Sequence, residues 1–298
     1  MSRYYALTFD IDLFDYISGG SRDEVMLFFS RLDEVIDCPW EFKATWFIRL
    51  DSQLSTLFSR PDYLLTAYAD LWRELEDKGH ELAWHHHAYE MAPDGHWRPN
   101  TVPVSVCRDL ELCLPAALRY GFRSVRLGWG FQSNETMKFL DEAGFMADSS
   151  AIPRPNYHWA PNSGDWSLTP LAAYRPSLAD YRVPGLPALS IVEVPLTTVP
   201  LQVPTDTENS VRRYINPAYS SEYFQLALRQ AEPLEIVTLI CHPYEVLPHP
   251  IGHQLVAFDF EFFLSNLHYL HRLGLKPLTI SEVAARLMEK GTPGSRPN

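Results

Sequence analysis

Short apolar runs alternate along the chain with longer stretches whose apolar residues recur every three to four positions. The runs read as strands at Tyr4–Phe9, Ala44–Ile48, Glu81–His87, Ser124–Leu127, Ile191–Val194 and Ile236–Cys241, with a late short one at Lys276–Leu278. Helices with recognisable ends lie between them. Ser21-x-x-Glu24 is a capping box opening a helix that carries Val25, Phe28, Leu32 and Val35 on one side. Pro61 suits a first turn, and Leu64, Tyr68, Leu71 and Leu75 form a stripe that Gly79 ends. Asp259 caps a helix bearing Phe263, Leu267 and Leu270, stopped by Gly274, and Thr279-x-x-Glu282 opens a last one. Strand–helix alternation over the whole length predicts parallel strands under a helical layer. About seven such units fit a barrel better than two separate sheets.

There is no internal repeat and no linker, so residues 1–290 are expected to form a single barrel domain, with 291–298 a disordered tail. Residues 153–187 hold seven prolines and little periodicity, which predicts a functional loop. The chain has 298 residues and a net charge of −12 without any run of Lys or Arg, which argues against nucleic acid and anionic membranes as partners. Cys38, Cys107, Cys113 and Cys241 form no CxxC pair and sit in apolar contexts, as buried free thiols do. MSRYYALTF lacks the apolar core of a signal peptide, and no 18-residue apolar run occurs; a cytoplasmic protein without an integral membrane segment is expected.

The chemistry gathers at strand ends. Thr8-Phe9-Asp10-Ile11-Asp12 closes the first strand with two acids that need a cation nearby, either a metal or a basic side chain. In Ala83-Trp84-His85-His86-His87 strand alternation turns His85 and His87 to one face and His86 to the other, giving half of a metal site. Were the chain to turn helical after His85, Tyr89 would be its same-face neighbour instead. Val125-Arg126-Leu127-Gly128-Trp129-Gly130 ends another strand with glycines that let backbone approach a ligand, and Ile240-Cys241-His242-Pro243 ends a fully apolar one. Each feature alone has an ordinary structural explanation. Four strands ending in Asp/Asp, His-x-His, Arg and His read jointly as one site, because a parallel barrel brings its C-terminal strand ends to one mouth.

These segments resemble the polysaccharide deacetylase superfamily, carbohydrate esterase family four, to which the nodulation chitooligosaccharide deacetylase belongs. TFDID resembles the family's first motif, GHELAWHHHAY its second, VRLGWG with SNETMKFLDEAGFMADSS its third, and TLICHP its final leucine-x-histidine motif. LGLKPLTISEVAARL resembles the closing strand and helix. The likeness covers nearly the whole chain in the right order.

The resemblance implies a distorted (β/α)7 barrel and a metal-dependent amide or ester hydrolase. It puts Asp10 at the general base, Asp12 and His85 at metal ligands, Arg126 at the residue orienting the base, and His242 at the general acid. The family's second histidine follows its first by four residues, where this chain has Tyr89. A subset of the superfamily carries His-x-His there, matching His85 and His87. The tryptophan-bearing fourth motif has no clear counterpart beyond Asp165-Trp166. Two histidines and a carboxylate suit zinc. Trp129, Tyr157 and Trp159 are candidates to stack on a sugar ring. The implied substrate is an N-acylated sugar, free or carried on a nucleotide or lipid, losing an acetyl or formyl group. The alternatives are an allantoinase-like hydrolase of a cyclic amide and a metal-binding member without catalysis.

Overall fold

The computed structural model describes residues 3–12, 22–37, 40–153, 164–207, 211–248 and 254–291. Seven parallel strands form a continuous curled sheet in the spatial order Ile236–Cys241, Tyr4–Ile11, Ala44–Arg49, Glu81–His86, Ser124–Leu127, Ala147–Asp148 and Val192–Glu193. Lys276–Pro277 is an eighth, paired with Tyr4 and Tyr5 below the point where Ala44 joins at Leu7. The expected distorted barrel is the fold observed. The distortion has a local cause. Between the last and first strands of this order the ladder is replaced by single contacts: Thr197 N–H donates to Thr238 at 3.0 Å and Ile240 N–H to Ile215 at 3.1 Å.

Alternation along the strands explains how the sequence fills both sides. Leu7, Phe9, Trp46, Ile48, Trp84 and Val125 pack outward against the helices in the main core. The opposite parity places Ala6, Phe47, Ala83, Ala147, Val192 and Val194 in a second cluster with Ile280, Val283 and Ala284 of the C-terminal helix. Ile280–Gly291 thus plugs the lower end of the barrel. Its capping box is formed as expected, with Thr279 N–H donating to Glu282 at 2.8 Å. Small interior residues below and polar ones above leave the upper end open for a site.

Several expectations change. The stripe from Leu64 to Leu75 is two helices, Tyr63–Ala67 and Ala69–Asp77, because Tyr68 leaves helical geometry at φ −123°, ψ 30°; there the Leu64 carbonyl accepts both the Tyr68 N–H at 3.3 Å and the Trp72 indole at 2.9 Å. Ala147–Asp148, Ser52–Phe58 and Pro103–Arg119 are elements the pattern did not reveal. Asp259 caps Phe260–Arg272 as expected, whereas Ser21 and the tail 292–298 lie outside the described residues. Cys107, Cys113 and Cys241 are free thiols, the last two buried; Cys38 lies outside the described residues. No described helix is long and apolar enough to cross a membrane.

Candidate active site

The first strand ends in a tight turn, Asp12 N–H donating to the Asp10 carbonyl at 2.8 Å, so both carboxylates overhang the barrel mouth. His85 faces them from the third strand, its Nε2 lying 3.8 Å from Asp10 Oδ2 and 3.5 Å from Asp12 Oδ2. His87 Nε2 stands 3.0 Å from Asp12 Oδ2 and 2.9 Å from His85 Nε2. The strand register expected from sequence is therefore the one observed. His86 points to the other face, where its Nε2 lies 3.0 Å from Asp109 Oδ2.

The ligand atoms of Asp12, His85 and His87 lie within 4.8 Å of one another. Their chemistry fits a cation. His85 Nδ1–H donates to the Arg126 carbonyl at 2.9 Å, which leaves Nε2 as the ring nitrogen directed at the other two. Burial outweighs the pull of the Asp12 carboxylate and brings His87 down to about 4, so its ring is a neutral donor. Burial opposes ionisation of Asp12, yet the two imidazoles hold its carboxyl well below the usual range. Two imidazole nitrogens and a carboxylate converging at one place suit a bound cation.

Arg126 fixes Asp10. Its Nη1 donates to Asp10 Oδ1 at 2.6 Å and to Thr8 Oγ1 at 2.8 Å, its Nε to the Ser149 carbonyl at 2.7 Å and its Nη2 to Ser149 Oγ at 2.8 Å. Its guanidinium lies over the Phe47 ring, 4.1 Å from the centroid. Burial would raise Asp10, but Arg126 and the nearby imidazoles keep it below the ordinary carboxylate value, hence ionised. His242 approaches from the adjacent strand, Ile236–Cys241, with Nε2 3.9 Å from Asp10 Oδ2. Its Nδ1 meets Glu245 Oε2 at 3.1 Å. Burial pulls His242 down, but the charge of Glu245 and then that of Asp10 raise it to about 9.

Asp10, Asp12, His85, His87, Arg126, Trp129 and His242 all line one cavity of about 590 Å³, whose upper walls include Ile152, Leu196, Tyr214, Tyr244 and Phe258. Tyr157 and Trp159 lie outside the described residues. Tyr89 stacks on the His87 ring at 5.7 Å. Asp165-Trp166 does not reach the cavity. Asp165 pairs with Arg182 at the surface, and the buried Trp166 indole donates to the Gly130 carbonyl at 2.7 Å, bracing the site from behind. The described part of the proline-rich segment is thus scaffold rather than wall.

Sequence reasoning missed Glu245, which the His-Pro-x-Glu spacing could have suggested as a capping box. It also missed Arg49, buried at its strand end with Nε 3.6 Å from Asp12 Oδ1 and 2.7 Å from Asp51 Oδ2.

The parallel barrel thus gathers an Asp/His/His cluster, an Arg-held aspartate and a Glu-held histidine at one mouth. At the level of sequence, no family model and no curated protein matches the chain. Solved structures do. A Mycobacterium smegmatis protein assigned as a polysaccharide deacetylase superposes with a TM-score of 0.53 at 16% identity, over 100% of this chain and 96% of that one. A 4-alpha-glucanotransferase from Thermococcus litoralis gives 0.55 at 14% identity, over 96% of this chain; the chain spans 41% of that protein. The fold is the one that polysaccharide deacetylases have, and since a glucanotransferase shares it, the site must choose the chemistry.

Proposed function

We propose that this protein is a metal-dependent hydrolase of the polysaccharide deacetylase superfamily. It would remove an acetyl or formyl group from an N-acylated sugar or a nucleotide- or lipid-linked precursor of a surface polysaccharide. A cytoplasmic location goes with that reading, as does action on C–N bonds other than peptide bonds. The observation that carries it is the meeting of three metal-type donors with two differently tuned proton carriers in one cavity.

Asp12, His85 and His87 would hold the ion, zinc by its donor set. When bound, it supplies Lewis acidity toward the acyl carbonyl and toward water. Asp10, ionised and fixed by Arg126, accepts a proton from the attacking water. His242, protonated at neutral pH, donates from Nε2 to the departing nitrogen as the C–N bond breaks. One proton is taken and one is given, and hydroxyl goes to the acyl carbon. An environment that lowers the aspartate and one that raises the histidine support Asp10 as the base and His242 as the acid. Trp129, with Tyr157 and Trp159, is proposed to receive the sugar.

The test is a panel of N-acetyl and N-formyl sugars, nucleotide sugars and cyclic ureides, assayed for acid release with and without chelator. Release from a sugar, abolished by chelator and restored by zinc, is expected. Turnover of ureides alone would favour an allantoinase-like activity, and metal occupancy without turnover a binding protein.

A further inference from the structure

The two histidines of the cluster are held by different means. His85 is oriented by its Nδ1–H bond to the Arg126 carbonyl at 2.9 Å. His87 has no equivalent: its Nδ1 is buried without a hydrogen-bond partner among the described residues. A metal-binding imidazole usually owes its orientation to a hydrogen bond on the far nitrogen. Something else must fix this ring.

Packing does. A Cβ at Gly128 would lie 2.4 Å from Cδ2 and Nε2 of His87 and 2.6 Å from Cε1, so the ring rests directly on glycine backbone. The Trp129 ring meets it edge to face at 4.4 Å. Tyr89 stacks on it at 5.7 Å and in turn meets Trp129 at 4.7 Å. Trp129 reaches this place only by adopting φ 56°, ψ 16°, a left-handed conformation that a bulky residue takes rarely and at some cost. The turn is held in that shape from outside. Phe131 N–H donates to the Gly128 carbonyl at 3.0 Å, while Gly164 N–H at 3.0 Å and the Trp166 indole at 2.7 Å both donate to the Gly130 carbonyl.

We infer that Gly128 and Trp129 are positioning residues for His87, a steric clamp that replaces the missing hydrogen bond and so sets the affinity of the cluster for its metal. This rests on the proposed role of Asp12, His85 and His87 as ligands. Glycine is required at 128 because any side chain occupies the ring's place. An aromatic ring is required at 129 because without it the imidazole regains rotamers that point Nε2 away from Asp12 and His85.

The experiment measures zinc affinity by competition with a chromophoric chelator, using the full chain and the variants Trp129→Phe, Trp129→Ala and Gly128→Ala. Circular dichroism and thermal melting of each metal-free protein check folding. Removing an orienting partner of a metal-bound imidazole typically costs about 10- to 100-fold in affinity. Trp129→Ala should lose that much while remaining folded, Trp129→Phe should lose about threefold or less because an aromatic edge remains, and Gly128→Ala should lose most. Affinity in Trp129→Ala within about twofold of the parent protein would overturn the clamp, as would an equal loss in Trp129→Phe. Should Gly128→Ala fail to fold, the two tryptophan variants still decide. Failure of the parent chain itself to bind zinc would overturn the ligand assignment, a different result from binding that the variants leave unchanged.

Discussion

Glu245 Oε2 accepts three hydrogen bonds, and two of them come from the same residue: His242 Nδ1 at 3.1 Å and the His242 backbone N–H at 2.7 Å, with Asn216 Nδ2 the third at 2.7 Å. The carboxylate both aims the ring, leaving Nε2 toward Asp10, and supplies the charge that raises it to about 9 against burial. Glu245→Gln keeps the shape and removes the charge. A proton donor must be protonated, so with His242 at about 9 activity holds through neutral pH and declines above that value. In the variant the alkaline limb should move down toward the ordinary histidine value of about 6.5, with the rate at pH 8 falling by about tenfold or more. A pH–rate profile checks this; an unmoved alkaline limb would detach Glu245 from the chemistry.

Asp10 and Asp12 separate base from ligand. Asp10 Oδ1 is committed to Arg126 at 2.6 Å, while Asp12 lies against both histidines. Asp10→Asn should leave zinc content near one ion per chain and reduce hydrolysis by at least about a hundredfold, whereas Asp12→Ala should lose the ion itself. Metal analysis beside single-turnover rates distinguishes the two, and full activity in Asp10→Asn would remove the proposed mechanism.

The three consecutive histidines should respond differently to substitution. His87→Ala ought to strip the metal and Tyr89→Phe ought to keep it, since the Tyr89 ring stacks on His87 rather than taking its place. His86 works on the other face. Its Nδ1 donates to the Leu50 carbonyl at 3.2 Å, and its Nε2 faces the Asp109 carboxylate, which also accepts from the Ser52 hydroxyl. Burial opposes the charge on His86, but Asp109 raises it to about 10. His86→Ala should therefore retain zinc while losing about 3 kcal/mol of stability, the usual result of stranding a buried charge. Zinc lost from His86→Ala but retained in His87→Ala would reverse the strand register.

The features legible in the sequence are those written by local physics. Apolar runs marked six of the seven strands of the main sheet, and period-two alternation put His85 and His87 on one side. Ala147–Asp148 escaped because a two-residue strand has no period to read. The break at Tyr68 is a local change of backbone dihedrals inside an unbroken apolar stripe, and the need for glycine at 128 depends on the ring of His87, distant in sequence. Arg49 and Glu245 carry no signal beyond a charge at a strand end and a capping spacing. These are tertiary facts, and hydrophobic periodicity does not encode them.

His80 gives a prediction independent of the site. It follows the Gly79 turn and is buried at 7% exposure, with Nδ1 accepting from the Ala44 N–H at 3.1 Å and the Trp46 indole at 3.2 Å. Burial, with the charges of Lys78 and Lys43 behind it, lowers His80 to about 4. The unfolded chain takes up its proton near pH 6.5, so between about 6.5 and 4 the unfolded state binds more protons than the folded one. The stability His80 contributes is thus complete above 6.5 and is lost as the pH falls toward 4. Over the step from pH 7.5 to 4.5 the loss amounts to about 2 to 3 kcal/mol. His80→Gln offers an acceptor that does not titrate in this range. Urea denaturation at the two pH values should show the parent protein's acid destabilisation shrinking by about that amount in the variant. An undiminished pH dependence would mean that His80 already carries its proton in the folded protein, and that its two donors are satisfied elsewhere.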